Sequence, residues 1–200
     1  MLIRTLPEPT DAQDIVARAE EVGRQAALRD EDVFFEGLEG SGKSIALAAF
    51  LAKSVELGKK TAYITFMEYS EELNGGQALW QGIGDSIYGR LKSIIGLEAP
   101  ERNLGYHELT TYLFEEVLPK AYPLVIGFDE VGRLRQRPLE EAFYRILRVW
   151  RDKDRVYFGA QSRLRWALAG ISRLSQLPDE GDEGSRVVRV RDIPVGDVII

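Results

Sequence analysis

Apolar residues recur along this chain in two rhythms, and their alternation predicts the architecture. Early in the sequence Ile15, Val16, Ala19, Val22 and Ala26 fall at helical spacing, behind a capping-box pair of Thr10 and Gln13. A short apolar run at 32–37 reads as a strand, a glycine turn follows, and a helix is expected from about Gly42 to Leu57. The β-branched and aromatic residues of KKTAYITFME (59–68) predict a second strand. Residues 69–105 read as one helix weakened by glycines and then a loop. YHELTTYLFEEVLP (106–119) predicts a helix stopped by Pro119, with Leu109, Tyr112, Leu113 and Val117 on one face.

YPLVIGFDE (122–130) has the pattern of a buried strand ending in two carboxylates. PLEEAFYRILRVWRDK (138–153) opens with Pro at a first helical position, and Leu139, Ala142, Phe143, Ile146, Leu147 and Trp150 make an unbroken stripe. RVYFGAQS (155–162) is expected as a strand, RLRWALAGISRLSQL (163–177) as a helix, and SRVVRVRDI (185–193) as the last strand. Strands alternating with helices imply an α/β three-layer sandwich around a mostly parallel, five-stranded sheet.

Composition narrows the class. The 200 residues, 44% hydrophobic and 29% charged, suit one α/β core over 31–200, with 1–30 expected as a helical segment packed on it. No apolar run approaches the roughly 20 residues of a membrane span, and the start lacks a secretory signal. Zero cysteines exclude disulfides, thiolate metal sites and cysteine nucleophiles, which fits a cytoplasmic protein with no membrane partner. The net charge of −6 argues against a protein that coats nucleic acid with its whole surface. Yet Arg133 to Arg173 holds ten Arg and one Lys against four acids, a local +7. That segment is either a solvated helix face with some pairing to the rest of the chain, or a surface for an anionic partner such as nucleic acid.

Chemistry enters at residues 37–44, G-L-E-G-S-G-K-S, a full match to the phosphate-binding pattern G-x-x-x-x-G-K-[ST]. Gly37, Gly40 and Gly42 permit the dihedrals and close approach of such a loop. Successive backbone N–H groups then make a nest for phosphate oxygens, at the positive end of the next helix. Lys43 is placed to bridge β- and γ-phosphates, and Ser44 to complete a Mg²⁺ shell. Glu39, Ser41 and Ile45 complete the candidate nucleotide contacts, although Glu36 and Glu39 bring acid close to a polyanion site. The alternative is a sharp strand-to-helix turn with no ligand.

Asp129 closes an apolar strand, at the edge where open parallel sheets bind ligands, and is the candidate metal residue beside Ser44. Glu130 follows directly and is placed to polarise an attacking water. Gln161 and Ser162 are candidates for contact with the γ-phosphate or that water, Gln161 as a nucleotide contact and Ser162 as a catalytic one, and Arg163 for sensing phosphate. Arg133, Arg135 and Arg137 form a basic loop after the acid pair. His107 is read as a surface or capping residue, and Tyr63, Trp80, Tyr112, Phe143 and Trp150 as core.

The pairing of GLEGSGKS with LVIGFDE resembles P-loop NTPases of the additional-strand, catalytic-glutamate division, and within it bacterial AAA-like and STAND-type ATPases. LGKKTAYITF, YLFEEVLPKAYPLVIGFDEVGRL, EEAFYRILRVWRD and VYFGAQSRL add to the resemblance. It implies strand order 5-1-4-3-2, ATP with Mg²⁺, and a nucleotide switch for assembly or signalling, as a homo-oligomer or with a larger partner. Such proteins usually continue into a lid, which is expected to be absent here. A DNA-associated loader or transposition-type ATPase is the alternative, supported by the basic segment. A small-molecule kinase would need a lid that nothing after residue 163 clearly supplies. A non-hydrolysing scaffold would not need Lys43, Ser44, Asp129 and Glu130 together. No guanine-reading N-K-x-D-like motif is present.

Overall fold

The computed structural model describes residues 12–37, 40–67, 76–134, 138–159, 164–170 and 185–189. Helix α1 (Ala12–Ala27) leads into strand β1 (Asp32–Glu36), helix α2 (Lys43–Glu56) and strand β2 (Lys60–Thr65). Helix α3 (Gly76–Ile95) follows. Then comes one helical run made of α4 (Tyr106–Thr111), a π-helical segment (Tyr112–Val117) and α5 (Leu118–Ala121). Strand β3 (Leu124–Asp129), a 3₁₀ turn (Val131–Leu134), helix α6 (Pro138–Phe158), strand β4 (Leu164–Gly170) and strand β5 (Ser185–Arg189) complete the described chain.

Four strands build the described heart of a parallel sheet, in the order β2-β3-β4-β1, and β5 pairs in parallel with the outer side of β1. All four have the expected neighbours. Helices cover both faces. On one, α1 and α2 pack against Val33, Phe35, Val125, Ala167 and Ala169. On the other, α3 to α6 enclose Phe34, Ile64, Ile126, Phe128 and Leu168. Residues of alternating parity along each strand thus feed two separate cores, as a sheet buried on both sides requires. The helix α2 lies so close to β3 that a Cβ at Gly127 would meet Leu51 Cδ1 at 2.8 Å.

Two expected elements exchange identities. Residues 155–158 continue α6 instead of opening a strand, and the strand is Leu164–Gly170, where a helix was expected. Along α6 the buried positions Phe143, Leu147, Trp150 and Asp154 keep helical spacing past residue 153, with Phe158 partly buried one turn later. The β-branched and aromatic Val156 and Tyr157 face outward, Val156 at 82% exposure, so they select no strand. In β4 every residue from Trp166 to Gly170 is buried, and a run apolar on both faces carries no period that separates strand from helix. Pro119 does not stop its helix either, since the helical run continues through it to Ala121, directly after the π-helical turn in which the regular α-helical hydrogen bonding is already broken.

Candidate functional site: a phosphate loop at the carboxyl edge of the sheet

The loop after β1 is anchored at both ends. The Gly37 amide donates to the Gly170 carbonyl of β4 at 3.4 Å, and α2 begins at Lys43. Gly40 and Gly42 adopt φ of 75° and 88°, left-handed values that suit glycine. A Cβ on Gly37 would sit 2.3 Å from Ser41 Oγ, so the loop folds back on itself with Ser41 packed directly against Gly37. Ser41 Oγ is buried with no hydrogen-bond partner among the described residues. Leu38 and Glu39 lie outside the described residues.

Helix α2 has no side-chain cap at Gly42 and no acid in its first turn. Its first N–H groups therefore keep their partial positive charge and face the loop unshielded, a suitable place for an anion. Lys43 is 8% exposed, Ser44 is exposed at the start of the helix, and Ile45 is half-buried. Helix α1 forms a wall behind the loop, because a Cβ on Gly42 would meet Ala19 Cβ at 2.8 Å.

The second half of the site comes from β3. Register pairs Phe128 with Leu168 and Phe35 with Ala169, so Asp129 ends its strand level with the end of β1, at the edge from which the loop departs. It also has the parity of Val125 and Gly127, the face that α2 covers. Asp129 is 4% exposed and both its oxygens are engaged. Tyr63 Oη donates to Oδ2 at 2.8 Å, and the Glu130 amide donates to Oδ1 at 2.8 Å. Burial first, and then the carboxylate it serves, push the Tyr63 phenol well above its ordinary pKa. Thr65 and Arg90 oppose that shift without reversing it. Tyr63 therefore stays a donor. Glu130 holds φ of 57°, its carbonyl accepts from the Arg133 amide at 2.9 Å, and its carboxylate lies 3.7 Å from Arg133 Nε. A non-glycine residue in this region stores backbone strain, a frequent mark of functional positions.

Among the described residues no group of three or more His, Asp or Glu converges to hold a metal. The hydroxyl of Ser44 and the carboxylate of Asp129 are a sparse donor set. Such a set suits a cation that keeps its waters and is shared with substrate phosphates, the habit of Mg²⁺. The unpartnered Ser41 hydroxyl and the uncapped α2 fit a phosphate group in the same way.

The third expected part is corrected in its position. The strand expected to end in Gln161 and Ser162 is not formed, and β4 begins after them, so the strand end beside Glu36 belongs to Gly170. Gln161, Ser162 and Arg163 themselves lie outside the described residues, as do Arg135 and Arg137. Trp80, Tyr112, Phe143 and Trp150 are core, as expected, and His107 meets Tyr106 edge-on in the first turn of α4. Tyr63 is not simply core. Its alternating strand context hides that a phenol two residues before the end of β2 reaches diagonally to the end of β3.

The basic segment is partly spent inside the molecule. Arg151 bonds Asp32 and lies 4.9 Å from the Trp166 ring centre, while Arg165 Nε donates to the Asp30 carbonyl at 2.7 Å. Arg145, Arg148 and Arg155 are exposed on α6, with Glu141 and Asp152 also exposed along that helix.

The class defined by this fold and site is a parallel α/β sheet whose carboxyl edge carries a glycine loop with the phosphate-binding pattern. Two of the solved structures that resemble the chain illustrate the likeness. CDC6P from Pyrobaculum aerophilum is 14% identical, with a TM-score of 0.53 over 94% of this chain and 48% of that one. The Aeropyrum pernix ORC1 protein, solved in complex with DNA, is 22% identical with a TM-score of 0.45, over 84% of this chain and 40% of that one. The chain thus spans less than half the length of either, and the likeness to CDC6P is one of fold. Neither a protein-family model nor any curated protein sequence matches it.

Proposed function

We propose that this chain is a magnesium-dependent module that binds and hydrolyses ATP. The observation that carries the reading is the convergence of two elements on one sheet edge. The uncapped N-terminus of α2 behind a left-handed glycine loop meets the level of β3 that presents Asp129 and Glu130. In this reading backbone N–H groups from Gly40 to Ser44 hold the β-phosphate, and Lys43 neutralises the γ-phosphate from beneath. Ser44 and Asp129 would hold the cation, which when bound neutralises charge developing on the phosphate oxygens. Glu130 would orient the attacking water and accept its proton. Turnover in isolation is slow, because the charge of the transition state calls for an additional cation.

Between the assembly or signalling switch that the resemblance implies and the DNA-associated alternative, the second has a specific observation in its favour. Arg145, Arg148 and Arg155 line the exposed side of α6, whereas the signalling role gains no comparable observation. The test is ATP and GTP binding and turnover with Mg²⁺, with and without duplex DNA over a range of salt. Lys43→Ala is expected to lose binding at least tenfold. Glu130→Gln is expected to bind ATP normally and turn over about 10² to 10⁴ times more slowly. Wild-type protein that binds neither nucleotide sinks the reading. DNA affinity that does not fall with salt removes the DNA-associated form of it and leaves the ATPase.

A further inference from the structure

We infer that Tyr63 is a positioning residue for the cation site, holding Asp129 in one orientation from the neighbouring strand. The inference rests on the proposed Mg²⁺–nucleotide reading of the loop and deepens it. An ionised carboxylate offers about four acceptor directions over its two oxygens. In Asp129 one direction on Oδ2 is taken by the Tyr63 hydroxyl at 2.8 Å, and one on Oδ1 by the Glu130 amide at 2.8 Å. With each oxygen fixed by a separate donor, the carboxylate plane cannot turn, and its two remaining directions are set before any cation arrives.

The reach is specific to tyrosine. Tyr63 pairs in register with Gly127, while Thr65 pairs with Asp129. The phenol therefore crosses diagonally by two residues, a span that a serine or threonine hydroxyl does not cover. The ring has its own support, since the Arg90 guanidinium of α3 lies 6.0 Å from its centre at the sheet edge. Partners that fix metal ligands in this manner typically contribute a factor of about 10 to 100 in metal affinity.

A tyrosine that only packs would leave that affinity alone, and this difference is the test. In the 200-residue chain, Tyr63→Phe keeps the ring and removes the hydroxyl, and a thermal melt checks that the variant is folded. Affinity for a fluorescent ATP analogue is measured in EDTA, and Mn²⁺ affinity of the nucleotide complex by the electron paramagnetic resonance of free Mn²⁺. Tyr63→Phe is expected to bind metal-free nucleotide like wild type and Mn²⁺ about tenfold more weakly. With Asp129→Ala already present, removing the hydroxyl should change Mn²⁺ affinity no further. Equal Mn²⁺ affinity in wild type and Tyr63→Phe, or a loss that persists beside Asp129→Ala, overturns the positioning role while the phosphate loop stands. Wild-type protein that binds no nucleotide in either condition overturns the loop reading and this inference with it. If Tyr63→Phe does not fold, Arg90→Gln, which frees the ring and keeps the hydroxyl, is the second variant. A weaker Mn²⁺ affinity there supports the role, and wild-type affinity overturns it.

Discussion

Gly40 and Gly42 are two residues apart and share left-handed φ values, yet they differ in what surrounds them. A Cβ at Gly40 meets nothing within 4 Å, whereas one at Gly42 lands 2.8 Å from Ala19 Cβ. The backbone cost alone is about 1–2 kcal/mol for an L-residue in that region. Gly40→Ala should lose about 1 kcal/mol in urea denaturation and Gly42→Ala about 2–3 kcal/mol, because the second also forces α1 away. At this scale the sequence is most legible where chemistry demands a residue type at a fixed spacing. The loop, Lys43, Asp129 and Glu130 could all be named from their pattern. Tyr63 could not, because alternation in β2 reports which face a side chain takes and says nothing about a hydroxyl crossing to the next strand. Glu130 showed its acid in the sequence and hid its strained backbone.

Elements are legible when their apolar period is pure. Strands β1 and β3 and helix α2 were readable because an apolar run, a glycine turn and an alanine-rich stretch succeed one another. The junction of α6 and β4 was misread because composition and period disagree there. Val156, Tyr157 and Phe158 look like strand, but the buried stripe of α6 continues through Asp154, whose Oδ2 accepts the Leu164 amide at 3.2 Å and so joins the helix to the first residue of β4. The leucine and alanines of LRWALAG look helical, but their burial on both faces is that of a central strand. Elements are also tied by single polar bonds. Thr110 of α4 donates to the Tyr106 carbonyl at 2.9 Å and accepts the Trp150 indole N–H of α6 at 3.1 Å. Thr110→Val keeps the shape and strands a buried donor, so it should cost about 1–3 kcal/mol by chemical denaturation. In a Trp150→Phe background, which lacks the donor, Thr110→Val should cost less than it does beside the intact tryptophan.

At the scale of the molecule, the end of the sheet opposite the glycine loop is organised around a buried carboxyl group. Asp32 opens β1, bonds Arg151 of α6 and accepts the Trp166 amide of β4 at 3.0 Å, so one carboxylate joins three elements. Burial pushes its pKa up to about 6, against the pull of Arg151 and Trp166. In the unfolded chain the group titrates near its ordinary value of about 4. Between those values the folded state holds a proton that the unfolded state has released. The stability from this group is fully present below about pH 4 and falls as pH rises through 6. Asp32→Asn is neutral throughout and escapes that fall. Across pH 4 to 7 the wild type should lose on the order of 2 kcal/mol relative to the variant, read from urea midpoints at each pH. Wild-type and variant curves that run parallel would show that Asp32 titrates alike in both states.

The wall behind the loop has a mechanical side. A Cβ at Gly23 would meet the Ala46 carbonyl oxygen at 2.1 Å and Ala49 Cβ at 2.9 Å, and Ala19 already abuts Gly42. Helices α1 and α2 thus pack closely at two points, Gly23 against the backbone of Ala46 and Gly42 against the side chain of Ala19. Together the two helices run from the glycine turn to the surface of the molecule. There Arg24 reaches back to Glu20 and Glu21. So tight a contact leaves little room between the two helices, and a movement of the loop is expected to carry the first helix with it.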